Sequence, residues 1–151
     1  MIRYEISQRV HRTPSHVFDF VAVHQPENHP RWEPEVVEVR RPGPLAVGTR
    51  GVMVRREGGR TSEVPFEVVD LVPDRRIAFR SGSGGFHLHL IFDMNPIGDE
   101  TEFVVTAELN LTGFLWLMTP IFARVFPRRS AAITARLASV LNEGRTPPPS
   151  N

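Results

Sequence analysis

The chain has 151 residues, a formal net charge of +1 and no cysteine. This length allows a buried core without covalent staples, and the lack of cysteine excludes disulfides, thiol nucleophiles and cysteine-based metal sites. All 18 basic residues are arginines interspersed with acidic residues, a pattern that argues against a nucleic-acid-binding surface.

The N-terminal segment is predicted to be a half-buried strand. Over residues 3–10 apolar side chains alternate with charged or polar ones, a period typical of a strand with one face on the core. This alternation does not resemble a secretory signal. No stretch of the sequence is long and apolar enough to cross a bilayer. We therefore expect a cytoplasmic protein.

Two short helices are predicted to follow the first strand. Thr13 precedes Pro14, the usual order of an N-cap residue and the first residue of a helix, so one helix is predicted over residues 14–23. A second helical turn is predicted to begin near Pro26. Pro30 and Pro34 are expected to confine it because proline lacks the backbone N–H that a helix needs.

Six further strands are predicted between residues 35 and 110. Strand-like runs in this region are separated by short segments rich in glycine, proline and asparagine. Because these segments are short, neighbouring strands should pair antiparallel. The predicted strands are residues 35–41, 50–57, 61–72, 76–81, 86–94 and 100–110.

A long amphipathic helix is predicted from near Thr112 to Asn142, with an apolar stripe on one side. Pro127 is expected to kink or divide this helix. Thr119 followed by proline offers a second helix start, which would leave residues 113–118 as a separate turn. Residues 1–143 are predicted to form one domain, and the proline-rich tail at 144–151 to be disordered.

This order of elements resembles the START-like (SRPBCC) superfamily, which includes polyketide cyclase/dehydrase-like proteins and Bet v 1-type helix-grip proteins. The resemblance covers about residues 2–142. The motifs that carry it are residues 6–21 (ISQRVHRTPSHVFDFV), 27–34 (ENHPRWEP), 47–50 (VGTR), 69–79 (VDLVPDRRIAF) and 98–101 (GDET).

The resemblance implies an α+β helix-grip fold. In this fold a curved, seven-stranded antiparallel sheet wraps around the long C-terminal helix, and two short helices lie between strands 1 and 2. It also implies a cavity between the sheet and the helix. The implied ligands are small hydrophobic molecules such as lipids, sterols or polyketides, and some members cyclise or dehydrate a bound polyketide.

Large apolar residues that face the predicted helix are candidates for lining such a cavity. Trp32 is expected near its mouth. The alternative is that all of these side chains are ordinary core. The candidate ligand-binding residues are Trp32, Met53, Phe66, Phe79, Leu90, Phe103, Phe122 and Phe126.

Few polar residues are candidates for catalysis. His24 and His29 flank the proline-rich turn, with acidic residues nearby that could complete a proton relay. Arg55 lies two residues after Met53, so both side chains are expected on the same face of the strand. Either Arg55 projects into the cavity and binds an anionic group there, or it lies at the end of the strand in solvent. Two functions follow from the cavity: a carrier of a hydrophobic molecule, or a polyketide cyclase/dehydratase-type enzyme. A third is an interaction module that binds protein through residues 114–118. No cofactor is predicted.

His87 and His89 have a spacing that could bind a metal ion. Leu88, Leu90 and Phe92 alternate with them and form the better core face. Both histidines are therefore predicted on the outer face of the sheet, and no metal site is predicted.

Residues 111–126 contain a single charge, Arg124. No one face of a helix can hold five consecutive apolar residues, so part of this stretch must be exposed. We interpret it as a homodimer contact, a ligand portal or a peripheral membrane contact. The residues concerned are Phe114, Leu115, Trp116, Leu117 and Met118.

Overall fold

The computed structural model describes residues 1–143, so the tail predicted to be disordered, residues 144–151, lies outside the described residues. Within residues 1–143 the chain forms seven strands, three α-helices, one π-helical segment and one 3₁₀ segment. In chain order these are β1 (Ile2–Val10), α1 (Pro14–Phe18), a π-helical segment (Asp19–Val23), α2 (Gln25–Trp32), β2 (Val36–Arg40), β3 (Arg50–Glu57), β4 (Arg60–Val72), β5 (Arg76–Ser83), β6 (Phe86–Ile97), β7 (Glu100–Leu111), a 3₁₀ segment (Gly113–Met118) and α3 (Thr119–Asn142).

All seven strands form one antiparallel sheet in the order β1-β7-β6-β5-β4-β3-β2. β2 to β7 follow one another as neighbours, and β1 adds beside β7. The hairpins β3–β4 and β5–β6 turn on Gly58–Gly59 and Gly84–Gly85, and all four glycines have positive φ. Such pairs favour the tight turns whose twist matches that of the strands. The predicted fold, a curved seven-stranded sheet with a long C-terminal helix, is confirmed.

Two strands extend into segments that the sequence predicts to be breakers. β6 continues through Pro96 to Ile97, and β5 continues to Ser83. Pairing with the neighbouring strand continues to Ile97 opposite Glu100, which leaves only residues 98–99 for the turn. The pairing of long neighbouring strands therefore outweighs the local turn preference of these residues.

α2 ends just before Pro34, as predicted, but the two prolines inside helices do not divide them. Pro30 lies inside α2, which continues to Trp32, and Pro127 lies inside an undivided α3. Packing of residues beyond each proline offsets the lost hydrogen bond: Trp32 is buried beyond Pro30, and Leu137 and Leu141 are buried beyond Pro127. The hydroxyl of Thr119 donates to the carbonyl of Trp116 at 2.6 Å and does not cap α3.

The apolar core between the sheet and the helices consists of a large cluster and a small one. α3 packs against β1 and α2, and the main core cluster joins the inner face of the sheet to the helices between β1 and β2 and to the C-terminal half of α3. A smaller cluster around Leu109 and Leu111 holds the N-terminal half of α3. Within residues 1–143, no helix has the length and apolar character needed to cross a membrane.

Candidate functional site

A cavity of about 400 Å³ lies between the concave face of the sheet and α3. Its wall is made mostly of apolar side chains from β3 to β7, α2 and α3. The volume falls within the roughly 300–1,000 Å³ typical of small-molecule sites. The apolar lining residues are Trp32, Met53, Val64, Phe66, Phe79, Phe86, Leu88, Leu90, Phe92, Phe103, Val105, Phe126, Ile133 and Leu137.

Seven of the eight apolar residues predicted to bind a ligand line this cavity: Trp32, Met53, Phe66, Phe79, Leu90, Phe103 and Phe126. Phe122 does not. It packs one helical turn away, against Phe86 and Phe126, in the smaller apolar cluster. Trp32 is only 2% exposed, so its predicted position near the mouth is wrong: α2 turns the indole inward, against Phe20 and His29.

The mouth of the cavity lies between two hairpins and α3. The more exposed lining residues are Glu57 and Ser62 of the β3–β4 hairpin, Ser83 of the β5–β6 hairpin and Arg129 of α3. Arg129 forms an ion pair with Glu57. This ion pair connects the helix to the sheet at the opening.

Three polar residues line the cavity at intervals of four: Gln25 and His29 of α2, and Glu33, which directly follows the last residue of α2. His29 Nε2 lies 2.9 Å from Glu33 Oε1, and the amide nitrogen of Gln25 lies 3.4 Å from His29 Nδ1. The imidazole also stacks on Trp32, with 4.7 Å between ring centroids. In neutral His29 this arrangement places the proton on Nε2 and leaves Nδ1 as the acceptor.

Arg55 connects α2 to the sheet inside the cavity. Its Nη1 donates to Glu33 Oε2 at 2.7 Å, and its Nη2 donates to Glu57 Oε1 at 2.8 Å. Only 17% of its side chain is exposed. A continuous polar chain therefore follows one wall from the buried floor to the mouth, in the order Gln25, His29, Glu33, Arg55, Glu57 and Arg129.

The partners of Glu33 keep its carboxylate ionised. Burial alone would raise the pKa of Glu33. The hydrogen bond and charge of His29, followed by the charge and hydrogen bond of Arg55, outweigh burial and lower this pKa from 4.5 to about 2. In turn the charge of Glu33 and the hydrogen bonds of Glu57 outweigh the effect of burial on Arg55 and raise its pKa. Glu33 therefore acts as a fixed hydrogen-bond acceptor near neutral pH.

The lowered pKa of Glu33 predicts a loss of stability in acid. Because the unfolded chain binds the proton more readily, the stabilisation is complete above about pH 4.5 and is lost as the pH falls towards about 2. Over this interval, protonation of Glu33 should lower the free energy of unfolding by about 3 kcal/mol. Urea unfolding of the wild type and of Glu33→Gln checks it, since the stability difference between the two proteins should shrink through this range. A difference independent of pH would contradict the assignment.

A second polar pair lines the cavity near α3. The hydroxyls of Tyr4 and Ser130 lie 2.5 Å apart, and Thr134 donates to the carbonyl of Ser130 at 2.7 Å. Burial raises the pKa of Tyr4 by more than the hydrogen bond with Ser130 lowers it. Tyr4 is therefore a neutral phenol that can donate to or accept from a guest.

The other polar candidates lie outside the cavity. His24 follows the π-helical segment on the surface, with Asp19 and Glu27 near its ring nitrogens, so its predicted position beside the pocket is not observed. His87 and His89 lie on the outer face of the sheet, as predicted from the alternation. Their ring nitrogens lie 3.4 Å from Thr112 and Glu108, respectively.

Gln25, Ser130 and Thr134 line the cavity but were not among the candidates, although the sequence carries a recognisable signal for each of them. Gln25, His29 and Glu33 recur every fourth residue, which places them on one helix face. Ser130 and Thr134 have the same spacing within the apolar stripe of α3. A polar residue on a core-facing stripe requires a hydrogen-bonding partner or a ligand. Polar residues at this spacing are therefore candidates for the wall of a cavity.

The comparisons with known proteins agree with this geometry. A family model described as polyketide cyclase / dehydrase and lipid transport matches residues 1–142. The chain belongs to this polyketide cyclase / dehydrase and lipid transport family. The START-like resemblance noted in the sequence is thereby confirmed. The comparison with curated proteins found no match.

Solved structures share the fold of this family member at low sequence identity. Ara h 8.0201 is 15% identical with a TM-score of 0.73, and the match covers 93% of this chain and 98% of that one. A START superfamily protein from Mycobacterium smegmatis is 14% identical with a TM-score of 0.74, covering 93% and 97%. Norcoclaurine synthase from Thalictrum flavum, solved with dopamine and hydroxybenzaldehyde, is 13% identical with a TM-score of 0.69, covering 96% and 88%.

Proposed function

We propose that the protein binds or transports a small hydrophobic molecule, lipid-like or polyketide-like, in the cavity between the sheet and α3. The observation that carries this proposal is a cavity of about 400 Å³ whose wall is mostly aromatic and aliphatic. Transfer of apolar surface from water into such a site is favourable by about 25 cal/mol per Å². The family to which the chain belongs supports the same class of ligand.

The polar chain on the cavity wall narrows the chemistry of the guest. Glu33 and Glu57 are paired with Arg55 and Arg129, so the ionic charges on this wall offset one another. Among these four residues a charged guest would find no unpaired opposite charge. We therefore propose a guest that is neutral and largely apolar, with a hydroxyl or carbonyl group directed at the polar chain. Arg55 can serve such a group because the carboxylates do not use all of its N–H donors.

The ligand-binding role of the lining residues belongs to this proposal. Met53, Phe66, Phe79, Leu90, Phe103 and Phe126 would contact the apolar body of the guest, and Trp32 would contact it at the floor. No cofactor is needed for binding of this kind. We also propose a cytoplasmic location, to which the absence of cysteine is suited.

The protein contains two tryptophans, Trp32 in the cavity and Trp116 on the surface. In a Trp116→Phe variant, the remaining fluorescence reports on the cavity. A panel consisting of a fatty alcohol, a sterol and an anthraquinone should include a molecule that changes the Trp32 emission in a saturable manner. At a hundredfold excess over its dissociation constant, this molecule should raise the melting temperature by about 5–10 °C. No change with any member of the panel would contradict the proposal.

A second function, a cyclase or dehydratase acting on a polyketide-like guest, is favoured by one observation. The His29–Glu33 pair lies in the cavity wall, and the ring nitrogen not bonded to Glu33, His29 Nδ1, has only a long contact of 3.4 Å with the Gln25 amide, which a guest could replace. A base at this position can remove a proton from carbon next to a carbonyl group. Cyclisation of a poly-β-ketone by the wild type but not by His29→Gln, with binding retained in the variant, would support it. No turnover by the wild type would contradict it.

A further inference from the structure

An apolar surface formed by the 3₁₀ segment and the first turns of α3 has no partner in the fold. Phe114 is 80% exposed, Trp116 and Leu117 are each 65% exposed, and Ile121 and Val125 are at least half exposed. Leu115 and Met118, which the sequence placed in the same group, are partly buried. The exposed residues, together with two arginines of the same helix, form what we term the basic apolar surface: Phe114, Trp116, Leu117, Ile121, Arg124, Val125 and Arg128.

The arginines and the apolar residues of α3 occupy one face of the helix. Arg124, Val125 and Arg128 follow Ile121 by three, four and seven positions. All four side chains are exposed. Residues at these spacings are neighbours on a helix surface. Long arginine side chains can extend their charged ends beyond the apolar side chains beside them.

The positive charge of this surface is not compensated. The sequence contains no acidic residue between positions 109 and 142. Among residues 1–143, neither Arg124 nor Arg128 has an ion-pair or hydrogen-bonding partner, whereas Arg129 pairs with Glu57 at the cavity mouth. The exposed face of α3 therefore combines apolar side chains with free guanidinium groups.

We propose that the basic apolar surface docks on a bilayer containing anionic phospholipids. Helices that lie at a membrane surface combine an apolar face with arginine or lysine, and tryptophan is enriched at the membrane–water interface. Arg124 and Arg128 would contact lipid phosphates while Trp116, Leu117 and Ile121 enter the interfacial region. This docking requires no guest in the cavity, so it stands independently of the proposed ligand.

Charge favours a bilayer over a second copy of the chain. In a two-fold dimer the same surface is used by both protomers, so the interface would collect the uncompensated arginines of both copies with no acidic residue of this surface to pair with them. Like charges across an interface are unfavourable. An anionic bilayer offers the complementary charge. The homodimer predicted from the sequence is therefore the competing outcome of the test.

The basic apolar surface lies at the end of the molecule that contains the cavity mouth. Val125 precedes Phe126, which lines the cavity. The backbone N–H of Thr112, just before the 3₁₀ segment, donates to Gly85 of the β5–β6 hairpin at 2.8 Å. Docking through this surface would bring the mouth close to the lipid headgroups.

Co-sedimentation with lipid vesicles tests the proposal. The wild type should bind vesicles made of equal amounts of phosphatidylcholine and phosphatidylglycerol more tightly than vesicles of phosphatidylcholine alone. Arg124→Gln combined with Arg128→Gln should weaken binding to the anionic vesicles by about 30-fold. The matched control, Arg75→Gln combined with Arg80→Gln, removes equal charge from exposed positions outside the surface and should bind as the wild type does.

Apolar contact is tested separately by combining Trp116→Ser with Leu117→Ser, which should weaken binding to both kinds of vesicle. Three results would overturn the proposal. One is that the wild type does not bind anionic vesicles. Another is that the Arg124 and Arg128 double variant binds them as tightly as the Arg75 and Arg80 control. The last is a wild-type dimer in size-exclusion chromatography that the serine double variant converts to monomer, because the surface would then be a contact between copies.

Discussion

Replacing Arg55 with methionine is expected to lower the free energy of unfolding by about 3–5 kcal/mol, because removal of one partner from a buried ion pair leaves the other charge uncompensated. Glu33 would keep only His29 as a partner, and burial would no longer be outweighed by the charge of Arg55. The pKa of Glu33 should therefore rise in the variant. Urea unfolding, with the extrapolated free energy compared between variant and wild type, measures the loss.

Arg56 provides the matched control. It is exposed on the adjacent position of β3, on the opposite face of the sheet. Arg56→Met should change stability by less than about 0.5 kcal/mol. Combining Arg55→Met with Glu33→Leu should recover much of the loss, because no isolated charge remains in the cavity wall. Equal effects of Arg55→Met and Arg56→Met would contradict a buried ion pair at this site.

Leu90→Trp is expected to weaken binding of the guest about 100-fold. The larger side chain would project into the cavity from the middle of β6 and occupy space equivalent to three or four methylene groups of a guest, each worth about 0.8 kcal/mol. The substitution also replaces a side chain in a packed wall, so a loss of stability of about 1–3 kcal/mol is expected. Titration of the variant with a molecule that binds the wild type measures the change in affinity.

The control for this substitution is Ile91→Trp. Ile91 is the next residue of β6, where successive side chains point to opposite faces of the sheet, and it does not line the cavity. Its variant should bind the guest with the affinity of the wild type. Similar losses of affinity at both positions would mean that the guest does not occupy the cavity.

Local sequence patterns predicted the fold well because strands and tight turns depend largely on residues that are neighbours in the sequence. Alternation located β1, the short segments rich in glycine, proline and asparagine separated the other six strands, and the glycine pairs located two of the hairpins. Errors arose where tertiary packing overrides local preference. Pro30 does not end α2 because Trp32 is buried beyond it, and Pro96 does not end β6 because pairing with β7 continues past it.

The candidate site was predicted less completely because it depends on how separate elements face one another. The sequence could not distinguish His24 from His29, since only the rotation of α2 against the sheet brings His29 into the cavity. Phe122 and Phe126 share one stripe of α3, yet the cavity extends only to Phe126. The bond between Glu33 and Arg55 joins a helix to a strand, and no local pattern predicts it.

Native mass spectrometry of gently purified protein tests the central claim most directly, namely that the space between the sheet and α3 holds an apolar molecule. The wild type and Ile91→Trp should each carry one equivalent of a guest, retained from the expression host or added from the panel. Leu90→Trp should show little or none. A wild-type protein that carries no guest under any of these conditions, or a guest retained equally by Leu90→Trp, would contradict the account.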